Sequence, residues 1–322
     1  MTMQPLASVI IPCYNCEKYI IETLESMEAQ CRRDFEVICV NDGSKDNTLA
    51  VLREWKENHC LEMQILDKAN GGVSSARNCG IRAAKGKYLF FCDADDTFHP
   101  QYLECLISAM EETAADTAYC LLSRDFEKVK SCIPSQPVYI RKTQEAAMHD
   151  LLYRMGEIGF YCYAYRREIL EQNAILFDEN TRYFEDREFN WKYLSHCQNT
   201  ACVEFPLYWY RVTPNSATTK KVIEWRTDSF DAEKRVEEYL EKMGCSFLSQ
   251  VKDYLLPRVF WAYAKNYALG GNKEAFKRLG REYNGKKCMK RTARDSNKLV
   301  MLASMLYLIH PMLFYYAIRL KT

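Results

Sequence analysis

The chain has 322 residues, with 44 Lys and Arg against 43 Asp and Glu. A formal charge of +1 leaves no general nucleic-acid footprint, and 48% hydrophobic with 13% aromatic residues is ordinary for a folded protein. The length fits one large domain, or one domain with a substantial extension, and a sizeable core.

In chain order, residues 8–12 predict a buried strand and 17–29 a helix. Residues 35–40 predict a second strand, and 46–58 a second helix capped by Ser44 or Asp46. Residues 63–66 predict a third strand, 74–84 a third helix and 88–92 a fourth strand. Strands alternating with helices imply an α/β fold: a Rossmann-like domain with a mainly parallel central sheet, right-handed crossovers and helices on both faces. Ligands of such sheets sit outside the carboxyl ends of the strands, so the polar residues that directly follow a strand matter most. Residues 124–215 are less regular and rich in aromatics, among them Tyr161, Tyr163, Trp191 and Trp209. Most of these are expected in the core, and some could line a sugar site. Residues 222–297 mix charged and apolar residues at helical spacing. The expected division is a domain over 1–220, in halves 1–123 and 124–220, and a helical extension over 221–322.

Residues 299–318 carry no charge and are bounded by Lys298, Arg319 and Lys321, with His310 and Pro311 inside. Three readings stand open: a core helix, a helix lying on a membrane surface, and a membrane span. The basic stretch 286–294 favours contact with anionic lipid on the cytoplasmic side. No charged, apolar, then small-residue leader follows Met1. The fifteen cysteines are therefore expected as free thiols in a reducing cytoplasm. The single CxxC, Cys13 to Cys16, has no second pair to complete a structural zinc site.

Three strands run into polar turns. The first ends in Pro12-Cys13-Tyr14-Asn15, the second in Asn41-Asp42-Gly43-Ser44, the fourth in Asp93-Ala94-Asp95-Asp96. One acid after a strand is often a turn former. Three carboxylates in four positions repel one another, and a divalent cation relieves that; hard oxygen ligands suit Mg2+ or Mn2+. Such a cation keeps positions open for phosphate oxygens. There is no GxxxxGK[ST] loop and no GxGxxG after the first strand, which excludes a P-loop NTPase and a dinucleotide fingerprint.

These blocks resemble family 2 inverting glycosyltransferases, which have the GT-A fold. Residues 8–15 look like the family's opening strand and P-x-Y-N turn. Residues 42–48 resemble its DGS-x-D-x-T block, residues 72–78 its G-x-S-x-A-R-N block, and Asp93-Ala94-Asp95 its Asp-x-Asp motif. Glu185-Asp186-Arg187-Glu188-Phe189 is similar to its E-D-x-x-F segment. Tyr208 to Arg211 with Asn215-Ser216 is similar to a mobile Y-x-Y-R…S segment. The resemblance implies that Pro12, Tyr14 and Asp42 bracket the nucleotide base, with Asn15 also on the donor. It implies Asp93 on the ribose or donor sugar, Arg77 beside the donor, Asp95 on a divalent metal, and Arg211 on the diphosphate. Asp186 would be the catalytic base, with Glu185 second. The donor would be a nucleotide-diphospho-sugar, usually of uridine, and the acceptor a saccharide or lipid-linked saccharide. The expected setting is cell-envelope or extracellular polysaccharide synthesis. The Gln-x-x-Arg-Trp motif of processive members is missing, which favours transfer of one sugar. Two further readings remain: a nucleotidyltransferase, and an inactive sugar-nucleotide-binding protein.

Overall fold

The computed structural model describes residues 4–132, 139–154, 157–213, 228–294 and 297–320. It contains two compact units, Met1–Val212 and Thr213–Thr322. The first is built on one mixed sheet of nine strands: β1 Ala7–Cys13, β2 Phe35–Asp42, β3 Met63–Lys68, β4 Tyr88–Phe91, β5 Thr97–Phe98, β6 Thr117–Ser123, β7 Tyr139–Thr143, β8 Tyr163–Arg166 and β9 Asn199–Trp209. Their order is β3-β2-β1-β4-β8-β6-β9-β5, with β7 also on β9.

The run β3-β2-β1-β4 is parallel, as expected from the alternating pattern. Strands β2 and β4 are buried throughout, and β1 almost so. Parallel strands covered by helices on both faces need such unbroken apolar runs. Chain direction across the sheet reverses at β1, because β2 lies on one side of it and β4 on the other. This is the switch point where such sheets open a ligand crevice. β1 pairs with β2 from Ala7↔Phe35 to Cys13↔Asn41, but with β4 only as far as Ile10↔Phe91. Pro12 lies in the overhang, where its missing N–H removes no ladder bond to β4.

The second half adds pairings that the sequence pattern did not reveal. β8 runs antiparallel to β4 and β6, and β5 and β7 run antiparallel to β9. The register of β6 against β9 shifts around Leu121↔Pro206, where proline cannot donate. Here eight of the seventeen aromatics of 124–215 are buried, fewer than the majority expected. The Phe91 ring meets Phe160, Tyr165, Phe177 and Phe189 at centroid distances of 5.7, 5.4, 5.5 and 5.8 Å.

The second unit is helical over Asp228–Lys242, Leu248–Leu269, Lys273–Glu282, Gly285–Thr292, Lys298–Ile309 and Pro311–Arg319. The uncharged segment is therefore two helices. His310 is extended, with φ −155°, and Pro311 opens the second helix at a position where its missing N–H costs nothing. Among the described residues no helix is long and apolar enough to cross a membrane. This overturns the span reading. The core reading holds for one face only. Val300, Ala303, Ser304, Tyr307, Phe314 and Tyr315 are buried, while Leu299, Leu302, Met305, Ile309, Leu313, Tyr316 and Leu320 are exposed. All fifteen cysteines are unbonded.

Candidate active site

The turns after β1 and β2 are stitched together. Asn15 adopts φ +51°, a left-handed conformation that asparagine tolerates. Its N–H donates to Ser44 Oγ at 3.1 Å, and its Oδ1 accepts from the Lys45 N–H at 2.8 Å. Ser44 is thus used by this turn and does not cap the second helix. The cap position is Asn47, whose side chain makes no cap bond. Asp46 stands one residue earlier than expected of a cap and accepts from the Thr48 N–H and hydroxyl at 3.1 and 2.6 Å. The stitching leaves Tyr14 at the tip, 48% exposed. Cys13 and Cys16 are buried beneath it, and contact with Cys13, then burial, pushes the Cys16 thiol far up. Neither is suited to be a thiolate ligand.

Asp42 ends β2 almost fully buried. Its Oδ1 accepts from Lys68 Nζ at 2.6 Å and the Gly71 N–H at 2.9 Å. Its Oδ2 accepts from the Gly72 N–H at 2.8 Å. Gly72 has φ +88°, which L side chains rarely adopt, so glycine is what presents this amide. Three donors occupy three of the four acceptor positions of the carboxylate, and Oδ2 keeps one for a ligand N–H.

The three acids after β4 have different surroundings. Asp96 points inward, where its Oδ2 accepts from the Tyr208 hydroxyl at 2.6 Å and its Oδ1 from the Arg211 N–H at 2.8 Å. Asp93 Oδ1 accepts from Arg77 at 3.0 Å. Among the described residues, no hydrogen bond from another residue reaches the Asp95 carboxylate. Burial, then the charge of Asp93, pushes its pKa up to about 6.

Arg77 comes from the helix Val73–Ala83 and is only 4% exposed. Its guanidinium joins Asp93 to Glu185, at 3.0 and 3.1 Å, and lies 4.2 Å from the centre of the Phe160 ring. Glu185 and Asp186 open the helix Glu185–Leu194, where carboxylates suit the positive end of the helix dipole. The residue before them, Phe184, has φ +67°, a strained conformation for a bulky side chain. Burial, then the charge of Asp186, pushes Glu185 up to about 7.

A cavity of about 440 Å3 gathers Pro12, Tyr14, Asn15, Asp42, Asp93 and Asp95 at the strand ends, together with Tyr19, Asn70 and Gly72. Arg77 stands outside its lining, paired to Asp93, with Glu185 as the other partner of that pair. Asp186 lines a smaller cleft of about 130 Å3 with Phe160, Tyr161 and Asn190, and its Oδ1 accepts from the Arg187 N–H at 2.8 Å. Arg211 is not among the cavity's lining residues. It donates from Nε to the Asp95 carbonyl at 2.7 Å, pairs with Glu22, and lies over the Trp209 ring. Asn215 and Ser216 lie outside the described residues. Sequence reasoning missed Lys68, which ends β3 as Asp42 ends β2, and it placed Tyr208 in the Y-x-Y-R segment without foreseeing its bond to Asp96.

The donor set fits a divalent cation held by few protein ligands. Among the described residues no three His, Cys, Asp or Glu side chains form a metal-holding group. A single carboxylate, Asp95, faces the cavity without a hydrogen-bonding neighbour. A cation bound there would take its remaining oxygens from a diphosphate and from water.

The family model Glycosyl transferase family 2 matches residues 8–173, more than half of the 322. The chain is 34% identical over 220 residues to the uncharacterized glycosyltransferase EpsJ of Bacillus subtilis (strain 168). That match covers 67% of this chain and 64% of EpsJ, so it spans less than two thirds of the relative's length. In fold the chain is similar to S. aureus TarS 1-349 in complex with UDP-GlcNAc: TM-score 0.72, 18% identity, 97% of this chain and 90% of that one. It is also similar to the mannosyltransferase PcManGT from Pyrobaculum calidifontis in complex with GDP-Man and Mn2+: TM-score 0.54, 17% identity, 96% and 88%. The family match starts inside the first buried strand and runs through all three acidic or polar strand-end turns, and on it this chain belongs to glycosyltransferase family 2, with the GT-A fold.

Proposed function

We propose that the chain transfers one sugar, with inversion, from a UDP-sugar to an acceptor hydroxyl. The observation that carries this reading is the meeting of Pro12, Tyr14, Asp42, Asp93 and Asp95 on one cavity at the switch point of the sheet. The acceptor is a saccharide or lipid-linked saccharide of cell-envelope or extracellular polysaccharide synthesis. Contact with a membrane surface runs through 299–318.

In this reading the exposed Tyr14 ring and Pro12 flank the base, and the free Oδ2 position of Asp42 accepts its ring N–H. Asp93, fixed by Arg77, faces the ribose or donor sugar. Asp95 would hold Mg2+ or Mn2+, which when bound would neutralise charge on a departing diphosphate. Arg211 keeps the Asp95 backbone in place. Asp186 takes the proton of the attacking hydroxyl in the cleft that Tyr161 and Asn190 also line. Glu185 is held to Arg77 and positions the helix that presents Asp186. One displacement inverts the anomeric centre.

The test is UDP binding by calorimetry, with and without manganese, on the protein and on Asp95→Ala. Metal-dependent binding that the variant loses supports the reading. Binding of GDP or dTDP in place of UDP would change the donor, and no nucleotide binding at all would overturn the proposal.

A further inference from the structure

The helical unit Thr213–Thr322 holds a second cavity, of about 580 Å3, that the donor chemistry does not use. Its walls come from the helices Lys273–Glu282 and Gly285–Thr292, with Tyr307 and Pro311. Three cations line it, Lys277, Arg281 and Lys286, and among the described residues no carboxylate does.

Two further features point at the same ligand chemistry. The first is the start of the helix Gly285–Thr292. Asn284, at φ +47°, caps the Lys287 N–H with its side chain. The N–H groups of Gly285 and Lys286 find no acceptor among the described residues. A helix start with free amides attracts anions.

The second is Tyr307, a 98% buried side chain whose hydroxyl has no hydrogen-bond partner among the described residues. Buried tyrosine hydroxyls usually find one. This one lies in a gap between Gly280 and Gly285, where added Cβ atoms would stand 2.5 and 2.2 Å from it. Both glycines thus leave room for a hydroxyl that faces the cavity.

Guanidinium, ammonium, helix amides and a hydroxyl make a lining rich in donors, in which the Asn284 side-chain oxygen is engaged by the Lys287 N–H and Lys277 also pairs with Glu274. Tetrahedral oxyanions with several acceptor oxygens match it. We infer that this cleft binds a phosphate group, carried by an anionic lipid headgroup or by a soluble phosphate ester. The lipid source has a reason on the same unit. Pro311, at the cavity, opens a helix with Leu313, Tyr316 and Leu320 exposed. These continue the exposed Leu299, Leu302, Met305 and Ile309 of the helix before it. The inference does not rest on the donor-site reading.

The experiment uses the full chain and two probes. One is inorganic phosphate, followed by calorimetry. The other is vesicles of phosphatidylglycerol in phosphatidylcholine against pure phosphatidylcholine, followed by co-sedimentation. Arg281→Gln with Lys286→Gln removes two cleft charges, and Lys290→Gln with Arg294→Gln removes two outside it. The cleft pair should weaken binding of at least one probe about tenfold more than the control pair, and Tyr307→Phe should weaken it a few-fold. UDP binding should stay unchanged in every variant. Loss confined to vesicles assigns a lipid headgroup, and loss that includes free phosphate assigns a soluble ester. If neither probe binds, or both pairs weaken binding equally, the inference is overturned.

Discussion

Pro12 and Asp42 stand in the strands that carry them, with their backbone in the parallel ladder, and Asp95 lies in the turn that follows β4. Glu185 and Asp186 follow no strand. They open a helix after Phe184, a residue held at φ +67°, and one of them depends on Arg77 from the other half of the fold. The donor side is thus positioned by regular structure, and the acid side by one strained residue and one shared cation. The second concentrates its dependence on Phe184 and Arg77, and through Arg77 it is tied to Asp93 of the first.

The largest test of that contrast is Asp186→Asn. It should lower kcat by about 10²–10⁴-fold, the usual contribution of a positioned base, with donor binding by calorimetry nearly intact. Retained transfer would move the base elsewhere, with Glu185 next to be tried. Arg77→Ala should be the most damaging to the fold. It leaves Glu185 and Asp93 without their shared cation, and urea unfolding should show a loss of about 3–5 kcal/mol. A loss below about 1 kcal/mol would mean that the two acids relax into solvent, and that the halves are not tied there.

A pH effect should follow from Glu185. Its folded pKa, about 7, lies above its ordinary 4.5, so the fold binds a proton that the unfolded chain releases. The stability from this group is fully present below pH 4.5 and is lost as pH rises through 7. Stability against pH for Glu185→Gln should lack that part of the slope; parallel curves would remove the assignment. The smallest effect concerns Phe184. Glycine there should be more stable than alanine by about 1 kcal/mol in thermal unfolding, the reverse of the helix-interior order. Alanine equal to or better than glycine would mean that the left-handed conformation carries no strain.

Legibility in the sequence followed the same division. The parallel strands and the turns at 12–15, 42–44 and 93–96 were readable because period and punctuation are local. The sorting of the three aspartates was not. Asp96 turns inward because Tyr208, more than a hundred residues later, brings a hydroxyl to it. The antiparallel strands were hidden by the apolar mixing of core aromatics, and β9 by the register shift at Pro206. The interruption of 299–318 by His310 and Pro311 was legible, but the lack of charge kept helix readings of the whole segment open, where the structure has two helices.

The Arg77 bridge also limits how the enzyme could be re-engineered. Its two carboxylate partners come from different halves of the domain, Asp93 16 residues after it and Glu185 108 residues after it. Acceptor preference in such enzymes invites exchange of the second half between homologues. A graft here is not a free module: whatever segment is brought in must deliver an acid to the position of Glu185. Otherwise the recipient half keeps a buried cation with one partner gone, and Asp93 at the strand-end cavity is left as its single acid partner there.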